Sequence, residues 1–234
     1  MTIGILQPGY LPWLGFFEQL YKSDIFVIYD DVQYDKNGWR NRNRIKTPKG
    51  AQWLTVPVSV DFQKQPLIKD VKIDNSTDWK KKHLFSIRQN YSKAIFFDKY
   101  ISIFEKAYAG RWDYIIDIDM YYIKHLADAF EINTKDIVLS SSLNIQGSRM
   151  ERLVSICKKY NADTFYEGSA GREYIEEEFF LKNGIKVEYQ DYKHPVYNQL
   201  YGSFIPYLSA VDLLFNNGDK SLAIITRSDS NGRI

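Results

Sequence analysis

Two hydrophobic periods organise the start of the chain. Residues 2–6 and 25–30 are short apolar runs with the length of strands, and residues 14–22 between them carry the three-to-four spacing of an amphipathic helix. Strand, helix and strand in that order predict a βαβ unit with parallel pairing. Residues 53–58 and 67–73 read as two further strands. Helices follow at 78–90, 97–109 and 112–130, the last with Ile115, Ile116, Tyr122, Ile123, Leu126 and Phe130 on one broad stripe.

Residues 134–139 form a short apolar strand candidate, after which an α/β rhythm resumes. Ser148 and Glu151 have capping-box spacing and open a helix reaching Tyr160, before a strand at 163–167. A helix at 172–182 ends at Asn183 and Gly184, and a strand follows at 185–189. Ser209 and Asp212 repeat the capping spacing for a last helix that stops at Asn216, Asn217 and Gly218. The pattern predicts one α/β domain over residues 1–220 with a mainly parallel sheet, helices on both faces and a Rossmann-like, nucleotide-binding architecture. A helical insertion occupies about 76–131, and 221–234 reads as a polar, frayed tail.

Between the first strand and helix lies QPGYLPWLG, residues 7–15, where two prolines fix the backbone and two glycines free it. That junction is where ligands of open α/β sheets bind, so Gln7, Tyr10 and Trp13 are candidate binding residues. Gln7 and Tyr10 are expected to be exposed there, and Trp13 to reach the adjacent core. Asp30 and Asp31 end the second strand, with Gln33 behind them. If the two strands are neighbours, these carboxylates emerge at the same edge, where Asp30 is suited to act as a base. A solvated turn explains the same residues equally well.

Composition narrows the function classes. A hydrophobic fraction of 44% and a charged fraction of 26% are those of an ordinary globule, and no apolar run is long enough to span a membrane. The first strand starts without a leader-like segment, so a cytoplasmic protein is expected. Cys157 is the single cysteine, on the buried stripe of Leu153, Ile156 and Tyr160, which excludes internal disulfides. The three histidines have no zinc-ligand spacing, and no metal site is predicted.

The net charge of +2 gives no general case for nucleic acid. Local charge says more. Arg40, Arg42 and Arg44, followed by Lys46 and Lys49, stand at alternate positions, so their side chains can meet one polyanion such as a nucleotide diphosphate. Asn41, Arg42, Asn43 and Arg44 form a polar string ahead of the strand at Trp53; its forked donors suit a phosphate or carboxylate and make Asn41, Arg42 and Arg44 candidate binding residues. Lys80 to Lys82 make a second run that surface solvation explains. His83 shares a predicted helix face with Trp79 or Lys80 and is the candidate general base alongside Asp30; His125 reads as structural. Gly168 and Ser169, within EGSAG, join a strand to a helix and offer backbone amides to an anion, though a plain tight connection explains them equally. Tyr197 and Gln199 flank Asn198 in a loop-like stretch and suit a sugar or an aminoacyl group.

Taken together, QPGYLPWLGFF, SDIFVIYDDVQY, WRNRNRIK, TDWKKKH, YEGSAGREYI and YNQLYGSFIPYLSAVDLLFNNG resemble the WbqC-like family, in the expected order over about residues 2–218. The resemblance implies a cytoplasmic transferase of O-antigen or other surface-polysaccharide biosynthesis. It would move an acyl or aminoacyl group, glycyl among them, to the amine of a nucleotide-linked sugar. The partners implied are that sugar and an acyl or aminoacyl donor, with charged tRNA open as the donor. The opening is also distantly similar to pantothenate synthetases and class I aminoacyl-tRNA synthetases. Their histidine loop is replaced here by YLPWLG, and a KMSKS-like loop is missing. ATP therefore stays an open cofactor, an adenylyl- or nucleotidyltransferase is the alternative enzyme, and a non-catalytic sugar-nucleotide-binding or scaffold protein is a third reading.

Overall fold

The computed structural model describes residues 1–36, 38–147 and 149–227. The chain opens with β1 (Thr2–Leu6), α1 (Leu14–Tyr21) and β2 (Ile25–Ile28). Two small antiparallel ribbons follow, β3 (Arg42–Thr47) with β4 (Gly50–Thr55) and β5 (Val58–Ser59) with β6 (Lys72–Ile73). Three consecutive helices come next, α2 (Trp79–Tyr91), α3 (Phe97–Ala109) and α4 (Ile115–Ala129). The remainder runs β7 (Ile137–Leu139), α5 (Arg149–Lys159), β8 (Thr164–Glu167), α6 (Glu177–Lys182), β9 (Lys186–Tyr189), α7 (Ala210–Asn217) and α8 (Ser221–Thr226).

The central sheet has the order β7-β2-β1-β8-β9, and every pair in it is parallel. The fold is therefore α/β, with helices on both faces in a Rossmann-like arrangement. Period-two alternation divides the core between the faces. Ile3 and Ile5 share one face with their partners Phe165 and Val27, and pack with α5 and α6 through Leu153, Ile156, Cys157 and Phe180. Phe26 and Ile28 face the other way, against α1 and the helices of the larger cluster. Gly4 stands beside Phe26, where a Cβ would meet Ser23 Oγ at 2.5 Å and the Phe26 ring at 2.8 Å, so only glycine fits.

Several boundaries differ from the sequence expectation, each for a local reason. From the polar string ahead of Trp53, where the pattern predicts no strand, Arg42–Thr47 forms one, registered from Arg42 opposite Thr55 to Thr47 opposite Gly50. Cross-strand pairing decides this against a largely polar composition. The strand expected at 53–58 breaks off at Thr55, before Pro57. Of residues 67–73 only Lys72 and Ile73 pair as a strand, and Ile68–Asp70 is a 3-10 turn. The helix expected at 172–182 divides into a 3-10 turn at Ser169–Glu173 and the shorter α6. β2 stops at Ile28, so Asp30 and Asp31 lie just beyond the strand. The tail expected from residue 221 instead begins with α8, whose Ser221 and Ile225 are buried. Ser209 caps α7 as expected, accepting from the Val211 amide. The expected cap Ser148 and residues 228–234 lie outside the described residues.

Candidate functional site

Beyond β1 the chain is pinned at several backbone points. The Tyr10 amide donates to the Trp39 carbonyl (3.2 Å), and the Ala210 amide to that of Pro12 (2.9 Å). Arg40 Nη1 donates to the Pro8 carbonyl (2.7 Å) and Asn43 Nδ2 to that of Leu11 (2.7 Å). Leu11 holds a left-handed φ of 48° that these contacts maintain. Between the loop and the β3 arm is a cavity of about 480 Å³, walled by Gln7, Trp13, Trp39, Arg44 and Tyr207 among others. It sits at the carboxyl end of β1 and the amino end of α1, the ligand position of open α/β sheets.

Its wall is largely apolar, with a few polar groups at the edge. The Trp13 indole is wedged between Tyr192 (5.5 Å) and Tyr207 (5.9 Å), and it folds back over Gly15 so closely that a Cβ there would lie 2.2 Å from it. The half-buried Gln7 side chain makes no hydrogen bond among the described residues. Arg44 gives one guanidinium nitrogen to the Tyr207 carbonyl (3.2 Å), and its Nε is buried without a partner. No carboxylate pairs with Arg44 among the described residues, so its charge is available to an anion.

Behind the cavity Tyr10 is fully buried, its hydroxyl 2.9 Å from His83 Nδ1 and 2.6 Å from the Tyr108 hydroxyl. Its expected exposure is thus corrected: the ring lines the cavity, and the hydroxyl is spent in a buried chain. Burial and the neighbouring Tyr108 hold the Tyr10 hydroxyl well above its ordinary pKa. His83 is only 6% exposed and does not line the cavity. Burial lowers its imidazole to about 4, against the opposing pull of a backbone hydrogen bond with Thr55, so the ring is neutral near pH 7. Asp119 lies deeper, fully buried, with neither carboxylate oxygen hydrogen-bonded; burial holds it well above the usual carboxylate range, opposed by Arg40.

The remaining sequence candidates sit elsewhere. Asp30 is buried and accepts from Ser140 Oγ (3.0 Å), the Ser141 amide (2.9 Å) and Ser141 Oγ (2.6 Å), which clamps the end of β2 to the turn after β7. Asp31 accepts from Ser140 and pairs with Arg152. Gln33 is exposed and forms a bridge with Leu67. None of these three lines the cavity. Asn41 is also outside it, donating to the Val56 carbonyl (2.8 Å).

Of the Gly168 and Ser169 pair, Gly168 is not open to an anion, and neither residue lines the cavity. The Gly168 amide already donates to Glu167 Oε1 (2.8 Å), and burial raises that carboxyl to about 7. Tyr197 is buried in the larger core, and Gln199 ties its segment down by accepting from Lys46 Nζ (2.9 Å) and the Ile205 amide (2.9 Å). Both hold in place the segment that delivers Tyr207 to the cavity. Gln7, Tyr10, Trp13 and Arg44 are therefore brought together. Arg40 of the alternating cations and Asn43 of the polar string join them, as do Trp39 and Tyr207, which the sequence did not mark as binding residues. For Arg40 the alternation of charge was a usable signal; for Tyr207 none was present.

No group of three or more metal-binding side chains occurs among the described residues, and no described helix is long and apolar enough to cross a membrane. The model of the WbqC-like protein family matches residues 7–224. A relative from Mycobacterium tuberculosis (strain ATCC 25618 / H37Rv), named uncharacterized protein Rv1507c, is 35% identical over 218 residues, covering 92% of this chain and 94% of its own. No solved structure matches the chain.

Proposed function

Because the chain belongs to the WbqC-like protein family, we propose that it is an enzyme of surface-polysaccharide biosynthesis that binds a nucleotide-linked amino sugar and acylates its amine. Membership of the family supports a role in polysaccharide-related biosynthesis. The observation that carries the finer reading is Arg44, with no carboxylate partner among the described residues, at the wall of a ring-lined cavity at the ligand edge of a parallel sheet. Guanidinium suits the diphosphate, and indole and phenol faces suit a sugar ring.

In this reading the amine attacks the carbonyl of an acyl or aminoacyl donor, glycyl included. A C–N bond forms, the bond from carbonyl carbon to leaving group breaks, and one amine proton must be removed. In this reading His83, neutral near pH 7, takes that proton through the Tyr10 hydroxyl to which it is hydrogen-bonded, with the Tyr10–Tyr108 bond giving way. Asp30, with both carboxylate oxygens given to serines, serves to hold its loop. The donor is a charged tRNA or a glycyl group activated with ATP.

The test incubates the purified protein with UDP-glucosamine, or another nucleotide-linked amino sugar, and either glycyl-tRNA or glycine with ATP. A mass gain of one glycyl group is expected, and Arg44→Ala should lose it while melting like wild type. Absence of product across a panel of sugars and donors would overturn the transferase reading. Pyrophosphate release with ATP and glycine that yields no glycylated sugar when the sugar is added would favour the adenylyltransferase reading.

A further inference from the structure

At the mouth of the cavity two tryptophans face solvent, Trp53 on β4 and Trp39 in the turn ahead of β3. Trp39 is 45% exposed and Trp53 43% exposed, with ring centroids 5.3 Å apart and planes inclined by 39°. Large indoles held this open are uncommon, since burial is their usual gain. Two arginines support them. The Arg42 guanidinium lies 4.5 Å from the Trp53 centroid, and that of Arg44 lies 5.6 Å from Trp53 and 5.8 Å from Trp39. Register explains the grouping: Arg44 pairs with Trp53, and Arg42, two positions away, projects on the same face.

The platform is also rigidly joined to the site loop. The Trp39 carbonyl accepts the Tyr10 amide, and a Cβ at Gly9 would lie 3.1 Å from that same oxygen. Trp39 and Arg44 belong both to the cavity wall and to the platform, so the two surfaces meet at the arginine.

We propose that this platform is the nucleobase subsite of the same ligand: the base stacks on Trp53 and Trp39, the diphosphate lies on Arg44 and Arg42, and the sugar enters the cavity against Trp13. The inference rests on the sugar-nucleotide reading above and adds the orientation. It follows from the order of the chemistry along one path, which runs from exposed flat rings to cations to an enclosed, ring-lined pocket. A base has a π-face for the indoles whatever its identity, so the subsite recognises nucleotides as a class.

The test is titration calorimetry with UDP, UDP-glucosamine, glucosamine 1-phosphate and inorganic pyrophosphate on wild type, Trp53→Ala and Trp53→Phe. Trp53→Ala should weaken UDP and UDP-glucosamine alike, by roughly ten-fold or more, the worth of one stacked base. It should leave glucosamine 1-phosphate and pyrophosphate within about two-fold, and Trp53→Phe should recover most of the loss. Wild-type affinity for UDP in Trp53→Ala would overturn the platform and leave the sugar-nucleotide reading standing. If wild type binds neither UDP nor UDP-glucosamine, both fall together. A single-stranded oligouridine bound more tightly per site than UDP would reassign the platform to nucleic acid and overturn the proposal.

Discussion

The Tyr10 hydroxyl lies 2.9 Å from His83 Nδ1 across 73 positions of sequence, so the site loop is bolted to α2 from beneath. Both groups are buried, and the Tyr108 hydroxyl completes the chain. Tyr10→Phe would leave two buried polar groups without their partner, at a cost of about 1 to 3 kcal/mol. A thermal midpoint lower by several degrees is therefore expected. A midpoint unchanged from wild type would refute the buried chain.

His83 gives the protein an acid-sensitive term. The unfolded imidazole titrates near 6.5 and the folded one near 4, so the unfolded chain takes up the proton first. The contribution is complete above pH 6.5 and is lost as pH falls through 4. Between pH 7 and pH 5 the loss is about 2 kcal/mol. Urea unfolding of wild type and His83→Gln at both values should show the smaller pH dependence in the variant.

Glu167 acts in the opposite direction. Its folded carboxyl titrates near 7 against 4.5 unfolded, so its contribution is complete below pH 4.5 and lost as pH rises through 7. By pH 8 the buried charge costs about 3 kcal/mol. Glu167→Gln keeps an acceptor for the Gly168 amide without the charge, and should gain stability over wild type at pH 8 but not at pH 4. Equal gains at the two values would contradict the burial effect.

Gly15→Ala tests the Trp13 wall. An added Cβ would stand 2.2 Å from an indole that Tyr192 and Tyr207 already confine, so the indole must swing into the cavity. Overpacking of this kind costs about 1 to 3 kcal/mol. UDP-glucosamine binding should fall at least ten-fold, with UDP binding less affected. Sugar affinity equal to that of wild type would show that Trp13 does not shape the site.

Asp30→Asn separates a clamp from a catalyst. The amide group that replaces one carboxylate oxygen cannot accept from Ser140 or Ser141, and the variant should lose about 1 to 3 kcal/mol of stability. A fall in turnover with an unchanged melting curve would instead restore Asp30 as the base.

Local order determined much of this protein. Apolar runs placed β1, β2 and β8, and helical stripes placed α2, α3 and α4, because periodicity is a property of neighbouring residues. The prolines and glycines of residues 7–15 marked the loop that forms the cavity, since backbone restriction is also local. Only tertiary structure decided what each polar group does. Whether Tyr10 faces water or His83, and whether Asp30 meets a ligand or two serines, depends on partners 73 and 110 or 111 residues away. The string from Arg40 to Arg44 became half strand and half cavity wall because β4 pairs with it and Trp53 stacks on it. Burial then set the chemistry, turning His83 neutral and Glu167 reluctant to ionise, through a desolvation that no spacing of residues records.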